Sequence, residues 1–217
     1  MTEELAAELE NDIIFGVYAP GSRIVEDRVM ERYGAKRHIV RAAFATLEGR
    51  RLLVRHPNRG VEVVEFTPDD VDRLYDVRLI LETAAAERTS LPCPREITDE
   101  MRDIAGRHSE AVRRKDFRSV FALNKEFHEV QYACCGNPML TDLIRQHALA
   151  AQPIRVVKYE DRDHMATVVE QHFAIIDAME SGSNEVYVAA TRAHLPASAT
   201  AYRFLYETRH GKRVSSA

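Results

Sequence analysis

The chain has 217 residues, of which 45% are hydrophobic and 29% charged, the make-up of an ordinary soluble globular protein with room for one large domain or two modest ones. Its net charge is −4, and no apolar run approaches the roughly 18 residues of a membrane span, which argues against a membrane-embedded protein. The leading TEELAAELENDI is acidic and amphipathic and has no signal-peptide core, so the expectation is a cytoplasmic protein with no membrane partner.

Leu5, Leu9, Ile13 and Ile14 recur at helical spacing, and Gly16 with the Tyr18–Ser22 run ends a first helix of about three turns. Val25, Val29, Met30 and Tyr33 mark a shorter second helix, with Gly34 as its left-handed cap. A third helix over Lys36–Gly49 gathers Val40, Ala43, Phe44 and Leu47 into one arc and leaves Arg37, His38 and Arg41 beside it on the exposed surface. Two β-like runs, Leu52–His56 and Gly60–Val64, flank the turn Pro57-Asn58-Arg59-Gly60. Three helices followed by a hairpin is the order of a winged helix-turn-helix.

From Thr67-Pro68-Asp69-Asp70 the pattern becomes continuously helical. Further helices are expected over Arg95–Arg114, Phe117–Cys134, Pro138–Tyr159, Arg162–Ser181 and Asn184–Glu207. The predicted fold is therefore mainly α: a winged helix-turn-helix domain over 1–66, an all-helical bundle over 67–209 and a polar, frayed tail over 210–217. Cys93, Cys134 and Cys135 have neither a disulfide framework nor a CxxC spacing and are expected to be reduced and mostly buried.

The segment Gly34–Gly60 carries seven basic side chains, Lys36, Arg37, Arg41, Arg50, Arg51, Arg55 and Arg59, against the single acid Glu48. B-form DNA admits an α-helix into its major groove, where a guanidinium bonds a guanine edge in bidentate fashion. Arg37 and Arg41, one turn apart, have that spacing. Asn58, Arg59 and Gly60 at the hairpin tip suit a neighbouring groove or phosphate, and Arg50, Arg51 and Arg55 suit non-specific phosphate contacts. The competing reading for any one of these residues is a solvated charged surface.

In the helical half, His128, His172 and His194 fall on three separate helices, and Asn124 lies one turn before His128 on the same face. Helical bundles build internal metal sites this way, although a lone histidine among apolar neighbours is more often structural. His38, His56, His108, His147, His164 and His210 are read as surface or DNA-side residues. Arg78 and Glu82, four residues apart, read as a salt bridge.

Several coupled motifs carry a family resemblance. Gly16-x-Tyr18-x-Pro20-Gly21, the Tyr33-Gly34 helix end, the Arg37/Arg41 pair, Leu47-Glu48 and Pro57-Asn58-Arg59-Gly60 resemble the winged-helix domain of GntR-type bacterial transcription regulators. The helical half resembles the FCD effector domain of the FadR subfamily, through Asn124 to His128, His172, His194 and the Gly136-Asn137-Pro138-Met139-Leu140 run. The resemblance implies operator contacts by Arg37, Arg41, Asn58, Arg59 and Gly60, and Lys36 and His38 beside them are expected to join the DNA-binding surface. It further implies a divalent ion such as zinc or nickel on Asn124, His128, His172 and His194, and a small carboxylate effector held by Arg78 with Glu82.

The chain departs from the family pattern at Lys36 and Ile39, which flank the first arginine where Ser and Pro are common, and at Asn124, which stands in place of an acid. An amide oxygen neutralises none of the ion's charge, so Asn124 weakens the site or makes an anionic effector a more necessary partner. The expected function is a homodimeric, effector-responsive operator-binding regulator, a repressor rather than an enzyme. Two alternatives stay open: a metal-dependent enzyme built on His128, His172 and His194, and a regulator that senses the metal ion directly.

Overall fold

The computed structural model describes residues 1–57, 60–156, 159–195 and 197–210. The chain divides into two compact units, one of Met1–Thr67 with Leu149–Pro153, the other of Pro68–Ala148 with Ile154–Ala217.

The first unit contains helices α1 (Thr2–Ile14), α2 (Glu26–Tyr33) and α3 (Arg37–Gly49) and strands β1 (Arg23–Ile24), β2 (Leu53–His56) and β3 (Gly60–Val63). Its core joins Leu5, Leu9 and Ile13 of α1 to Val40, Phe44 and Leu47 of α3 and to Ile24, Leu53, Val61 and Val63 of the strands. Burial of these apolar stripes is what orients the three helices, at roughly 1.5–3 kcal/mol for each large side chain. Gly34 closes α2 at φ 62°, a left-handed turn that costs glycine little. The hairpin acquires a strand that hydrophobic alternation did not reveal. Two-residue β1 pairs antiparallel with β3, giving the order β1-β3-β2 with Ile24 opposite Val61 and Leu53 opposite Val63.

The second unit is built from α4 (Pro68–Arg88), α5 (Arg95–Arg114), α6 (Phe117–Ala133), all but the end of α7 (Pro138–Ala150), the second half of α8 (Gln152–Arg155), α9 (Arg162–Ser181), α10 (Asn184–His194) and α11 (Ala197–Arg209). Side-chain caps fix three of the starts: Asp116 accepts from Ser119 N–H, Asp161 from His164 N–H and Ser183 from Val186 N–H. Phe127, Met101, Ile104, Ile175, Ile176, Met179 and Tyr187 form the core, with α5 packed on both α6 and α9, and α10 on α9 and α4.

Two expected helices are each divided. Pro138–Tyr159 breaks at Ala151 into α7 and the short α8. Asn184–Glu207 is divided after His194 into α10 and α11. That second break sets His194 at a helix end, where Leu195 closes the turn. The cysteines carry no disulfide; Cys93 and Cys135 are buried and Cys134 is half-buried.

Candidate functional site

In the helical unit the three expected histidines converge. Each offers a ring nitrogen, and these atoms all lie within 4.8 Å of one another. His128 comes from the inward face of α6, which the sequence sets at Val120, Asn124, Phe127 and Gln131; His172 comes from α9 and His194 from the end of α10. His172 is fully buried and stacks on Phe127 with ring centroids 4.2 Å apart.

Two glutamines settle the tautomers. The amide nitrogen of Gln171 donates to the carbonyl of Ala193, so its Oε1 faces Nδ1 of His194 at 2.9 Å. Gln131 likewise donates to Tyr187 and Thr191 and presents its Oε1 to Nδ1 of His128 at 2.8 Å. An amide oxygen only accepts, so both Nδ1 atoms carry the proton and both Nε2 atoms are left with lone pairs. Those two lone pairs face each other at 3.2 Å. Burial holds the imidazoles neutral: His194 is pulled down to about 3 by burial and then by Arg155 and Arg78, and His128 and His172 fall well below the ordinary range by burial and then by neighbouring His194.

Two acceptors in contact with no proton between them repel, whereas two nitrogens bound to one tetrahedral zinc sit roughly 3.4 Å apart. Neither ring nitrogen of His172 has a hydrogen-bond partner among the described residues, and neither does Nδ2 of Asn124, itself 3% exposed. The donor set therefore fits a divalent ion. Nitrogen-rich ligation suits zinc or nickel better than the hard, oxygen-seeking cations.

Arg78 and Glu82 are both buried, with the arginine Nε donating to Glu82 Oε1 at 2.9 Å; the other carboxylate oxygen accepts from the Tyr132 hydroxyl. Arg78 also lines a cavity of about 30 Å³ together with Tyr75, His108, Asn124, Arg155 and Tyr159. His164 and His194 border the same space. Reading His108 as a surface residue is thus corrected, while His164 is half-buried at the cavity's border. His108 is fully buried, with both ring nitrogens unpartnered, and burial followed by the charge of Arg155 pulls it down to about 4. The charged context RHSEAVRR masks this, although helical spacing offers the signal, since His108 continues the buried stripe Met101, Ile104 and Ala105 of α5 by one turn.

In the first unit, Arg37 and Arg41 project from the start of α3 and are both exposed, but neither is unpaired. Glu26 at the start of α2 accepts from Nε of Arg41 through both oxygens, at 3.0 and 3.1 Å, and Arg37 bonds Asp27 at 2.7 Å. Lys36 and His38 are exposed beside them, and Gly60 opens β3 at φ 83°. Asn58 and Arg59 lie outside the described residues. Two other positives of the basic window are also paired, one with acids outside it and one with its own Glu48. Arg50 is held by Glu10 at 2.5 Å and by Glu3 at 3.0 Å, and Arg55 by Glu48 at 2.8 Å. Arg50 thus ties α3 to α1 and has a structural duty that its sequence neighbourhood did not announce.

The profile of the FCD domain matches residues 73–197, and that of the gntR family of bacterial regulatory proteins matches residues 1–63. The chain is a GntR-family transcription regulator with an FCD domain. An HTH-type transcriptional regulator in the TAR-I ttuE-ttuC' intergenic region of Agrobacterium vitis is 30% identical over 131 residues, 59% of this chain and 77% of that one. The HTH-type transcriptional repressor RspR of Escherichia coli K12 is 22% identical over 90% of this chain and 86% of its own. Among solved structures, E. coli McbR/YncC superposes with a TM-score of 0.77 at 19% identity, covering 96% of this chain and 98% of that one, which establishes the shared fold. The matched families and these relatives are regulators of transcription and not enzymes, which removes the metalloenzyme alternative.

Proposed function

We propose that this GntR-family regulator is a cytoplasmic homodimeric repressor that binds a two-fold symmetric operator and responds to a small organic acid through a divalent ion in its helical domain. His128, His172 and His194 would hold the ion as neutral imidazoles, with Asn124 adding at most an uncharged oxygen. When bound, the ion would supply localised positive charge to an effector carboxylate. The observation that carries this reading is the pair of lone-pair Nε2 atoms of His128 and His194, facing each other at 3.2 Å with both Nδ1 protons engaged elsewhere.

On the DNA side, Lys36, Arg37, His38, Arg41, Asn58, Arg59 and Gly60 form the proposed operator surface. Arg37 and Arg41 act as base readers, held in place by Glu26 and Asp27 until DNA competes for them. Two recognition helices are needed to span half-sites one helical turn apart, hence the dimer. Repression is favoured by the name of the E. coli relative.

In a second reading the ion alone is the signal; what supports it is the histidine cluster by itself, whose ring nitrogens lie within 4.8 Å of one another. The test is metal analysis of the purified chain, followed by operator titration with and without the ion and with added carboxylic acids. The proposal expects bound zinc or nickel, and operator affinity that shifts when acid is added to the metal-loaded protein. A shift with metal alone, indifferent to every acid, selects the second reading. A double variant Arg37→Ala/Arg41→Ala that keeps saturable, salt-sensitive binding to the operator sinks the proposed DNA surface.

A further inference from the structure

The cavity beside the three histidines has an unusual polar lining. The hydroxyl of Tyr75, both ring nitrogens of His108, Nδ2 of Asn124 and the hydroxyl of Tyr159 are all buried and lack any hydrogen-bond partner among the described residues. A buried donor without an acceptor costs roughly 1–3 kcal/mol, so several such groups around one space mark the place of a ligand rich in acceptor oxygens.

Charge narrows the class. Among the described residues, no Asp or Glu lines the cavity. Arg78 is neutralised by Glu82 in the wall. Arg155, at the end of α8, has no carboxylate partner among the described residues, and its charge acts on His108, His128, His172 and His194 alike. Asn124 supplies no negative charge where an acid would supply one. A divalent ion and Arg155 therefore face the cavity with no fixed anion to balance either. A monocarboxylate answers one of them and leaves the other desolvated and unmatched.

We propose that this pocket selects a small dicarboxylate, with one acid group directed to the ion and the second gripped by Arg155 beside the hydroxyls of Tyr159 and Tyr75. The inference rests on the metal and effector reading above and specifies its ligand class. Tyr159 and Met165 line both this cavity and a groove of about 870 Å³ that also includes Phe117 and Arg162.

The test is calorimetric titration of the zinc-loaded full-length chain with malonate and succinate, set against acetate and butyrate. The expected result is a dicarboxylate preference of about tenfold or more, since a bidentate guanidinium–carboxylate contact is among the stronger polar interactions. Arg155→Gln should abolish that preference while leaving the monocarboxylates within about twofold, and Arg155→Lys should retain part of it. Equal affinity for the two classes, or an Arg155→Gln variant that weakens both alike, overturns the inference and leaves the effector reading intact. Failure of all four acids to bind the zinc-loaded protein overturns both.

Discussion

Nε2 of His128 and Nε2 of His194 lie 3.2 Å apart, each with its own Nδ1 proton already committed to a glutamine oxygen. In that state neither ring can donate to the other, and burial keeps both from gaining a second proton. A cation between them would relieve that repulsion. Zinc or nickel should therefore raise the melting temperature of chelator-treated protein, by several degrees at about 100-fold excess over Kd, where the linkage is worth about 2.7 kcal/mol. His172→Ala should remove most of that rise. A melting curve indifferent to both metals would argue that the three imidazoles are merely structural.

Asn124→Asp introduces a charged ligand next to His128. It should tighten zinc or nickel by about tenfold or more, as read by competition with a chromophoric chelator, because the carboxylate offsets charge that the amide leaves bare. The same change should weaken dicarboxylate binding, since the ion then needs less from the effector. An unchanged metal affinity would show that residue 124 stands outside the coordination sphere.

Gln171 touches no proposed effector group, yet it orients His194 through a bond of 2.9 Å while anchored on Ala193. Gln171→Ala should cost about 10- to 100-fold in metal affinity, the usual toll for losing the group that fixes a ligand's tautomer. Because Gln171 is only half-buried, little change is predicted in the stability of the metal-free chain.

Glu26 accepts from Arg41 and lies 3.7 Å from Arg37, so it fixes the direction of both guanidinium groups before DNA arrives. Glu26→Gln should raise affinity for random duplex, because a negative charge near the phosphates is lost. It should also reduce the ratio of operator to random binding, by about 3- to 10-fold if pre-organisation contributes on the order of 1 kcal/mol. Fluorescence anisotropy at fixed salt measures both.

Arg50 is bridged to Glu10, whose side chain is 13% exposed, and to Glu3, which is 75% exposed. Glu10→Ala should destabilise the chain by about 1 kcal/mol in urea titration, since it strips a half-buried guanidinium of its close partner, whereas Glu3→Ala should fall within about 0.5 kcal/mol. Equal effects would remove the distinction between these two bridges.

The order of the DNA-facing unit was readable because apolar stripes at helical spacing, Leu5 through Ile13 and Val40 through Leu47, decide which faces must meet, and Gly34 announces a left-handed turn that side chains resist. Likewise His128, His172 and His194 could be nominated from sequence, because each sits in an apolar helical frame whose inward face is set by periodicity. The tertiary structure alone decided the rest. His108 enters the cavity from a helix whose local sequence is mostly charged, and Arg155 reaches it from a one-turn helix with too few residues to show a period. The basic window is less basic in space than along the chain, since Glu3, Glu10, Glu26 and Asp27 pair with Arg50, Arg41 and Arg37 across helix contacts. Periodicity is a local property of one helix and reports which side is buried; charge balance and ligand geometry are sums over side chains from several helices, and only packing assembles them.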